Sequence, residues 1–224
     1  LGGYWIDLSN EPSFTTTDTK VKIDSDGYIH PVAVGRTTVK VTFRRHSIDL
    51  PVNIKSVDTQ PVSFVRDVMP AISRVGCNAG TCHGAAKGKN GFQLSLRGYD
   101  ADLDYQTLVT DLSGRRFNRA RPAQSLMLLK PTQGVPHGGG QVMEADSRHY
   151  EILHQWIAEG VKSDVITTEK VSRLEVIPNA TEIHLPGMAQ QLRVIAHYPD
   201  GTSRDVTRDA MYSSSLPDAA IVSD

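Results

Sequence analysis

Apolar and polar residues alternate toward both ends of the chain, and this two-residue period predicts β-strands with one buried face. Turn sequences rich in Asp, Gly, Pro and Asn separate the alternating stretches. The strands predicted in this way lie at 39–43, 48–54, 174–177 and 192–196, with a hairpin around the Asp-Ser-Asp-Gly turn at 24–27. We therefore expect residues 1–57 and 166–224 to be all-β.

Between these ends, apolar residues recur every three or four positions, which predicts helices. The first predicted helix runs from Phe64 to Val75, with Ser63 as its N-cap and a kink or a helix start at Pro70. The last one begins after Ser147 and ends at Gly160. Shorter helices are expected at 102–112 and 126–129.

The two ends of the chain repeat each other. Residues 201–224 align with residues 3–26 without a gap, and nine aligned pairs are identical or similar. A repeat of this kind implies two copies of one module. Each copy is incomplete, so we expect the sequence to be part of a longer chain, in which residues 171–224 complement residues 25–55 within one chain or between two chains.

Composition excludes some classes of partner. The chain has 224 residues and a formal net charge of -1, so it has no overall positive field for nucleic acid. No apolar run approaches the length of a membrane span, and no signal peptide opens the sequence.

Both cysteines lie in one short stretch, Gly76-Cys-Asn-Ala-Gly-Thr-Cys-His-Gly84. In covalent haem c attachment, each of two thiols adds to one vinyl group of the porphyrin, and the histidine after the second cysteine binds the iron. The usual spacing has two residues between the cysteines, whereas Cys77 and Cys82 have four. The longer loop must bulge, and we expect Asn78 and Gly80 to supply the positive φ angles.

Three other interpretations of this motif remain open. The two thiols can form a local disulfide if the protein is exported. Cys77, Cys82 and His83 with a distant histidine can bind zinc, although tetrahedral sites usually have paired ligands at both ends. The two cysteines can also be unrelated buried thiols.

The β segments resemble a group 2 bacterial immunoglobulin-like (Ig-like) domain, an exported β-sandwich. Its first half is matched by 176–178, 191–192 and 196–207, and its second half by 21–27, 35–39 and 50–54.

The middle of the chain resembles a small class I cytochrome c, most of all the cytochrome c-like domains that large exported planctomycete proteins combine with Ig-like modules. The matching stretches are 64–70, 76–84, 88–92, 94–100, 125–131, 135–140 and 150–160. The resemblance implies a multi-domain chain, with an all-α class I cytochrome c-like haem domain at 58–165 between partial all-β Ig-like sandwich segments at 1–57 and 166–224.

This resemblance implies one covalent haem c, held by Cys77 and Cys82, with His83 as the proximal iron ligand. The distal ligand is expected to be His137, in the loop before the last helix, with Met143 as the alternative and an open site as a third arrangement. Two imidazoles predict low-spin iron and a lower potential than a His/Met pair. Met69 and Met127 are expected in the core.

The positions of the other aromatic residues, histidines and arginines can also be predicted. Trp156 and Tyr150 are expected to pack against Phe64 and the haem edge. The remaining histidines are expected in solvent (His149, His154) or in the β segments (His30, His46, His184, His197). A basic cluster, Arg115, Arg116, Arg119 and Arg121, is predicted to be a solvated face, with a clamp on the haem propionates as the functional alternative.

The sequence thus predicts an exported electron-transfer protein, periplasmic or otherwise extracytoplasmic, and not an enzyme. An unidentified redox partner protein and self-association through its incomplete Ig-like halves are expected. A haem sensor or haem enzyme with an open distal site is one alternative. A structural module stabilised by zinc or by a disulfide is another. No paired carboxylates indicate glycoside hydrolysis.

Overall fold

The computed structural model of the chain describes residues 12–24, 28–58, 60–183 and 187–222. The strands are β1 (Ser13–Thr15), β2 (Val21–Ile23), β3 (Ile29–Pro31), β4 (Gly35–Phe43), β5 (His46–Ile54), β6 (Arg173–Ile177), β7 (Arg193–His197) and β8 (Ser203–Asp205). The helices are α1 (Met69–Arg74), α2 (Ala101–Val109), α3 (Leu126–Leu129) and α4 (Arg148–Ala158). The chain divides into two compact units, Leu1–Gln60 with Ala180–Leu192 and Pro61–Asn179 with Arg193–Asp224.

The first unit contains a three-stranded antiparallel sheet in the order β1-β4-β5 and the separate hairpin β2-β3. The predicted strands at 39–43 and 48–54 are confirmed as parts of β4 and β5, which pair over their whole length. A small core of Val21, Val39 and Ile54 joins the sheet to the hairpin. The predicted hairpin is confirmed too, although its turn residues 25–27 lie outside the described part of the chain.

The apolar face of β5 is only partly covered. Val52 and Ile54 pack on the small core, but Ile48 is 67% exposed and Leu50 is 45% exposed. The alternation therefore predicts the strand correctly, while half of its apolar face remains accessible in the described structure.

In the second unit, a short π-helical segment at Phe64–Val68 leads directly into α1. Ser63 is the N-cap, as predicted, because its Oγ accepts a hydrogen bond from the Arg66 N–H at 2.8 Å. Its own N–H donates to Asp67 Oδ2 at 2.9 Å. The change from π-helical to α-helical hydrogen bonding falls at Met69, directly before Pro70, which has no N–H to donate to the preceding turn.

The last helix, α4, has both predicted ends. Ser147 caps its start by accepting from the Tyr150 N–H at 3.3 Å, and Gly160 ends it with a φ of +95°. Trp156 of α4 is completely buried beside Phe64, with ring centroids 5.3 Å apart. In the described part of the chain, α4 is the longest helix at eleven residues, and none there has both the length and the hydropathy of a membrane-spanning segment.

The third sheet, in the order β6-β7-β8, belongs to the same compact unit as the helices. It contacts the π-helical segment through Arg204 of β8, which donates to Asp67 Oδ1 at 2.6 Å. The same guanidinium donates to the Arg66 carbonyl oxygen at 3.3 Å, an acceptor one turn before Pro70. The Arg66 guanidinium in turn lies 3.9 Å from the centroid of the Tyr198 ring.

The predicted fold class is wrong. The structure is of mixed class, 22% helical with four helices and 21% strand in three small sheets over the described residues, and it contains no predominantly all-α cytochrome-like domain. The helical periods are real, but the helices that they form are only four to eleven residues long. Turns and irregular segments fill the rest of residues 58–165, whose proposed domain boundaries stay a prediction.

The sequence repeat is not matched by a repeat of secondary structure in the described residues. Phe14 lies in β1 and Ile23 in β2, whereas their counterparts Tyr212 and Ile221 lie in irregular backbone. Pairing explains the difference, because β1 is held as a strand by β4.

Candidate functional site

The end of α1 delivers Cys77 to the surface of the helical core. The helix closes with a Schellman motif in which the Cys77 N–H donates to the Ile72 carbonyl at 2.9 Å and the Gly76 N–H donates to Ser73 at 3.0 Å. Gly76 adopts the left-handed conformation this motif requires, with a φ of +81°. Cys77 consequently packs against the core at the point where the helix stops.

The loop from Cys77 to Gly84 is a compact series of turns. Its closing hydrogen bond runs from the His83 N–H to the Cys77 carbonyl at 3.0 Å, and the Gly84 N–H donates to the Ala79 carbonyl at 3.1 Å. The expectation that Asn78 and Gly80 have positive φ angles is wrong, because Gly76 makes the left-handed turn before the loop begins. Asn78 is instead buried, and its Nδ2 donates to Ser73 Oγ at 2.8 Å.

Gly84 is required by a close backbone approach. A Cβ atom at Gly84 would lie 2.0 Å from the Asn78 carbonyl oxygen and 2.9 Å from the Ala79 oxygen. No side chain can be accommodated there unless the backbone moves. The residue after the histidine therefore allows the four-residue loop to fold back on itself.

Both cysteines are free thiols in the structure, so the disulfide interpretation gains no support. Burial, with a smaller contribution from the nearby Cys82, raises the pKa of Cys77 to about 12. The Cys77 side chain is therefore a neutral thiol at physiological pH.

Two hydrogen bonds fix His83. Its Nδ1 lies 3.0 Å from the Phe92 carbonyl oxygen, and its own carbonyl accepts from the Leu94 N–H at 2.8 Å. Since a carbonyl only accepts, Nδ1 carries the proton and Nε2 of the neutral ring is left with a free lone pair. Burial lowers the pKa of His83. The hydrogen bond to Phe92 opposes this effect, whereas the nearby His137, Arg116 and Lys130 add to it.

His137 is fixed in the same way. It lies in the irregular loop before α4, where its Nδ1 is 2.8 Å from the Gly140 carbonyl oxygen. Nδ1 is again the donor, and Nε2 is again left with a free lone pair. The loop contains three consecutive glycines, and a Cβ atom at Gly139 would lie 3.1 Å from Cε1 of the His137 ring. Glycine thus allows the backbone to pass close to this imidazole.

The fold brings these two imidazoles together from positions 54 residues apart in the sequence. Their ring centroids are 6.4 Å apart and their planes differ by 17°. A metal–imidazole bond of about 2.0 Å and about 1.1 Å from nitrogen to ring centroid would place two imidazoles on opposite sides of one metal about 6.2 Å apart. The centroid separation in the structure, 6.4 Å, is close to this value.

The other candidate ligands lie elsewhere. Met143 is only 4% exposed and belongs to the helical core, as do Met69 and Met127, which were predicted there. His149 and His154 are half-buried and not solvated as expected, and Nε2 of His149 is buried without a hydrogen-bond partner. Of the remaining histidines, His30 and His46 lie in the first unit and His197 in β7, while His184 lies outside the described residues.

The basic cluster is split by burial. Arg115, Arg119 and Arg121 are exposed, as a solvated face predicts, but Arg116 is 8% exposed. Its guanidinium lies 4.1 Å from the centroid of the Phe92 ring, which is 4.4 Å from the His83 ring. Sequence reasoning missed the role of Phe92 and the burial of Arg116, since neither has a local signal.

A four-ligand metal site is not assembled in the described part of the chain. No group of three or more His, Cys, Asp or Glu side chains is placed there to hold a metal ion. A haem iron needs only two protein ligands, because the porphyrin supplies four nitrogens.

Comparisons with protein-family models, curated proteins and solved structures gave no match. The geometry of the site and the residue pattern therefore carry the functional argument.

Proposed function

We propose that the chain transfers electrons through one haem c attached to Cys77 and Cys82, with His83 and His137 as the iron ligands. The observation that carries the proposal is the imidazole pair, 6.4 Å apart with planes 17° from parallel. The pair lies beside the cysteine loop because His83 directly follows Cys82.

The residues present suit this cofactor. Each histidine donates Nδ1–H to a backbone carbonyl, a second bond that fixes ring orientation and tautomer in metal sites. Neither cysteine is tied up in a disulfide. In that reaction the sulfur bonds to one vinyl carbon and the thiol hydrogen goes to the other carbon, so no oxidant is required.

Haem c, when bound, supplies one-electron chemistry by cycling between ferric and ferrous iron. His83 and His137 would hold the iron, and their backbone hydrogen bonds would keep both rings in place when the iron changes oxidation state. His137 is a better distal ligand than Met143, whose side chain is already packed in the core. A sensor or enzyme with an open distal site would need a different position for His137.

The first test is the spectrum of the protein produced in a host that attaches haem c. We expect a pyridine haemochrome with the α-band of two thioether bonds, shifted in Cys77→Ser and in Cys82→Ser as one bond is lost. The oxidised protein should be low-spin and should lack the weak Met–iron band. A protein without a Soret band would refute the proposal.

The ligand assignment has its own test. His137→Ala should give a high-spin iron that binds CO rapidly, and added imidazole should restore the low-spin spectrum. His154→Ala is the matched control, because His154 is a half-buried histidine on α4 whose ring stacks on Tyr150. An unchanged spectrum in His137→Ala would exclude His137 as a ligand.

Export, partner and assembly belong to the same proposal. Covalent haem attachment in bacteria takes place outside the cytoplasm, so we propose a periplasmic protein that exchanges electrons with a redox partner protein. The resemblance to planctomycete cytochrome c-like domains supports the attachment chemistry, not a class I fold. Self-association through the Ig-like segments is supported by exposed apolar side chains on β5 and β6, such as Ile48 and Leu174. Light scattering over a range of concentrations tests it, and a strictly monomeric protein would exclude it.

A further inference from the structure

Arg116 is a buried cation without an ion-pair partner among the described residues. Its Nη1 donates to two backbone carbonyl oxygens, those of Thr107 at 2.9 Å and Asp111 at 3.2 Å. Burial lowers the pKa of Arg116, and the nearby Asp111 carboxylate offsets part of this effect. Arginine remains protonated under such conditions, so the positive charge is permanent.

This charge adjoins the residue that holds His83. The guanidinium lies 4.1 Å from the centroid of the Phe92 ring, in cation–π contact. Phe92 provides the carbonyl that accepts from His83 Nδ1, and its ring is 4.4 Å from the His83 ring. Arg116 therefore contacts Phe92, which in turn contacts His83, the proposed proximal ligand.

A buried charge acts over a longer range than an exposed one, because water and salt screen it less. A fixed positive charge near a redox metal favours the state with one positive charge fewer, which for haem is the ferrous state. Arg116 is such a charge, since its guanidinium contacts the Phe92 ring, which in turn contacts the His83 ring.

We propose that Arg116 raises the reduction potential of the iron held by His83 and His137, and that it positions Phe92 behind His83. This inference rests on the proposed haem site. It assigns Arg116 to tuning and positioning, since the side chain itself touches neither imidazole in the described contacts.

The test compares midpoint potentials of the haem-loaded protein with those of three variants. Arg116→Gln should lower the equilibrium constant for reduction about tenfold. For a one-electron couple this is a fall of about 59 mV in the midpoint potential. Arg116→Lys keeps the charge and should retain most of the potential. Arg115→Gln removes the same charge from the neighbouring exposed position and should change the potential by less than a third of that amount.

The outcomes separate the two proposals. If the wild-type protein binds no haem, the proposed function fails and this inference fails with it. If the wild-type protein is a bis-imidazole haem protein but Arg116→Gln and Arg115→Gln shift the potential equally, only the inference fails. Equal losses in Arg116→Gln and Arg116→Lys would refute the role of the charge.

A fourth variant avoids any change at the buried position. Asp111→Asn removes the exposed carboxylate that partly offsets the Arg116 charge, so it should raise the potential. An unchanged or lower potential in Asp111→Asn would overturn the inference even if Arg116→Gln fails to fold.

Discussion

The close approach at Gly84 predicts a large loss of stability when this glycine gains a methyl group. The added Cβ of Gly84→Ala would lie 2.0 Å from the Asn78 carbonyl oxygen. Normal carbon–oxygen contacts begin at about 3.3 Å, so the overlap is about 1.3 Å. Because both groups belong to the backbone, no side-chain rotation can relieve it.

The magnitude follows from what must move. Relief of the overlap breaks the hydrogen bonds from Gly84 to Ala79 and from His83 to Cys77. Each is worth about 0.5–1.5 kcal/mol, and the strain of overpacking adds about 1–3 kcal/mol. We therefore expect Gly84→Ala to lower the free energy of unfolding by about 2–6 kcal/mol.

Gly80→Ala is the matched control in the same loop. Its Cβ would lie 3.6 Å from Leu96 Cδ1, an ordinary contact, and Gly80 does not have a positive φ. Because alanine restricts the unfolded chain more than glycine does, Gly80→Ala should be neutral or stabilising by about 0.4–1 kcal/mol.

Urea unfolding of the haem-free protein measures both variants without any assumption about the cofactor. Trp156 is completely buried in the helical core, so its fluorescence reports on this unit once the other tryptophan is removed by Trp5→Phe. Equal midpoints for Gly84→Ala and Gly80→Ala would show that the loop does not fold back as described.

Three further predictions concern single groups. The pKa of Cys77 is about 12, whereas that of a free thiol is about 8.5. Iodoacetamide should therefore alkylate Cys77 in the folded haem-free protein on the order of a thousandfold more slowly than a free thiol. Comparable alkylation rates would contradict the burial of Cys77. Gly139→Ala crowds the His137 ring whereas Gly138→Ala has open space, so only Gly139→Ala should weaken the distal ligand and accelerate CO binding; equal CO rates would contradict the tight loop. Burial, with the Arg148 charge, lowers the pKa of His149, so the unfolded state binds more protons and stability should fall as the pH drops through about 6.5. His149→Gln should flatten this loss, measured as urea midpoints between about pH 8 and pH 5, and an identical pH slope would refute the assignment.

Local signals explain what the sequence predicted well. Strand positions follow from alternation, and the helix ends at Ser63, Ser147 and Gly160 follow from capping chemistry that involves only neighbouring residues. The class of the fold depends on how such elements combine. The helical periods at 58–165 predict the four helices close to their observed bounds, but no local pattern indicates that β6–β8 pack in the same unit.

The residues of the site also differ in whether local sequence or only tertiary structure reveals their role. The sequence order names Cys77, Cys82 and His83 as partners, because they are adjacent in the chain. Which glycine of the loop is needed for which purpose depends on tertiary structure. The sequence suggests Gly80 for the bulge, but Gly76 makes the left-handed turn and Gly84 makes the close approach. The burial of Arg116 depends on carbonyls of α2 and the turn that follows it, and no period or motif in the sequence indicates it.

Turns position the residues of the site, so its chemistry does not depend on the predicted class I cytochrome c fold. A Schellman motif places Cys77, backbone carbonyls orient His83 and His137, and a glycine loop allows the second imidazole to approach the first. None of these devices requires long helices wrapped around a cofactor. Because function belongs to such sites and not to folds, the proposal of a haem site does not depend on an all-α domain; it rests on the cysteine loop and on the separation of the two imidazoles.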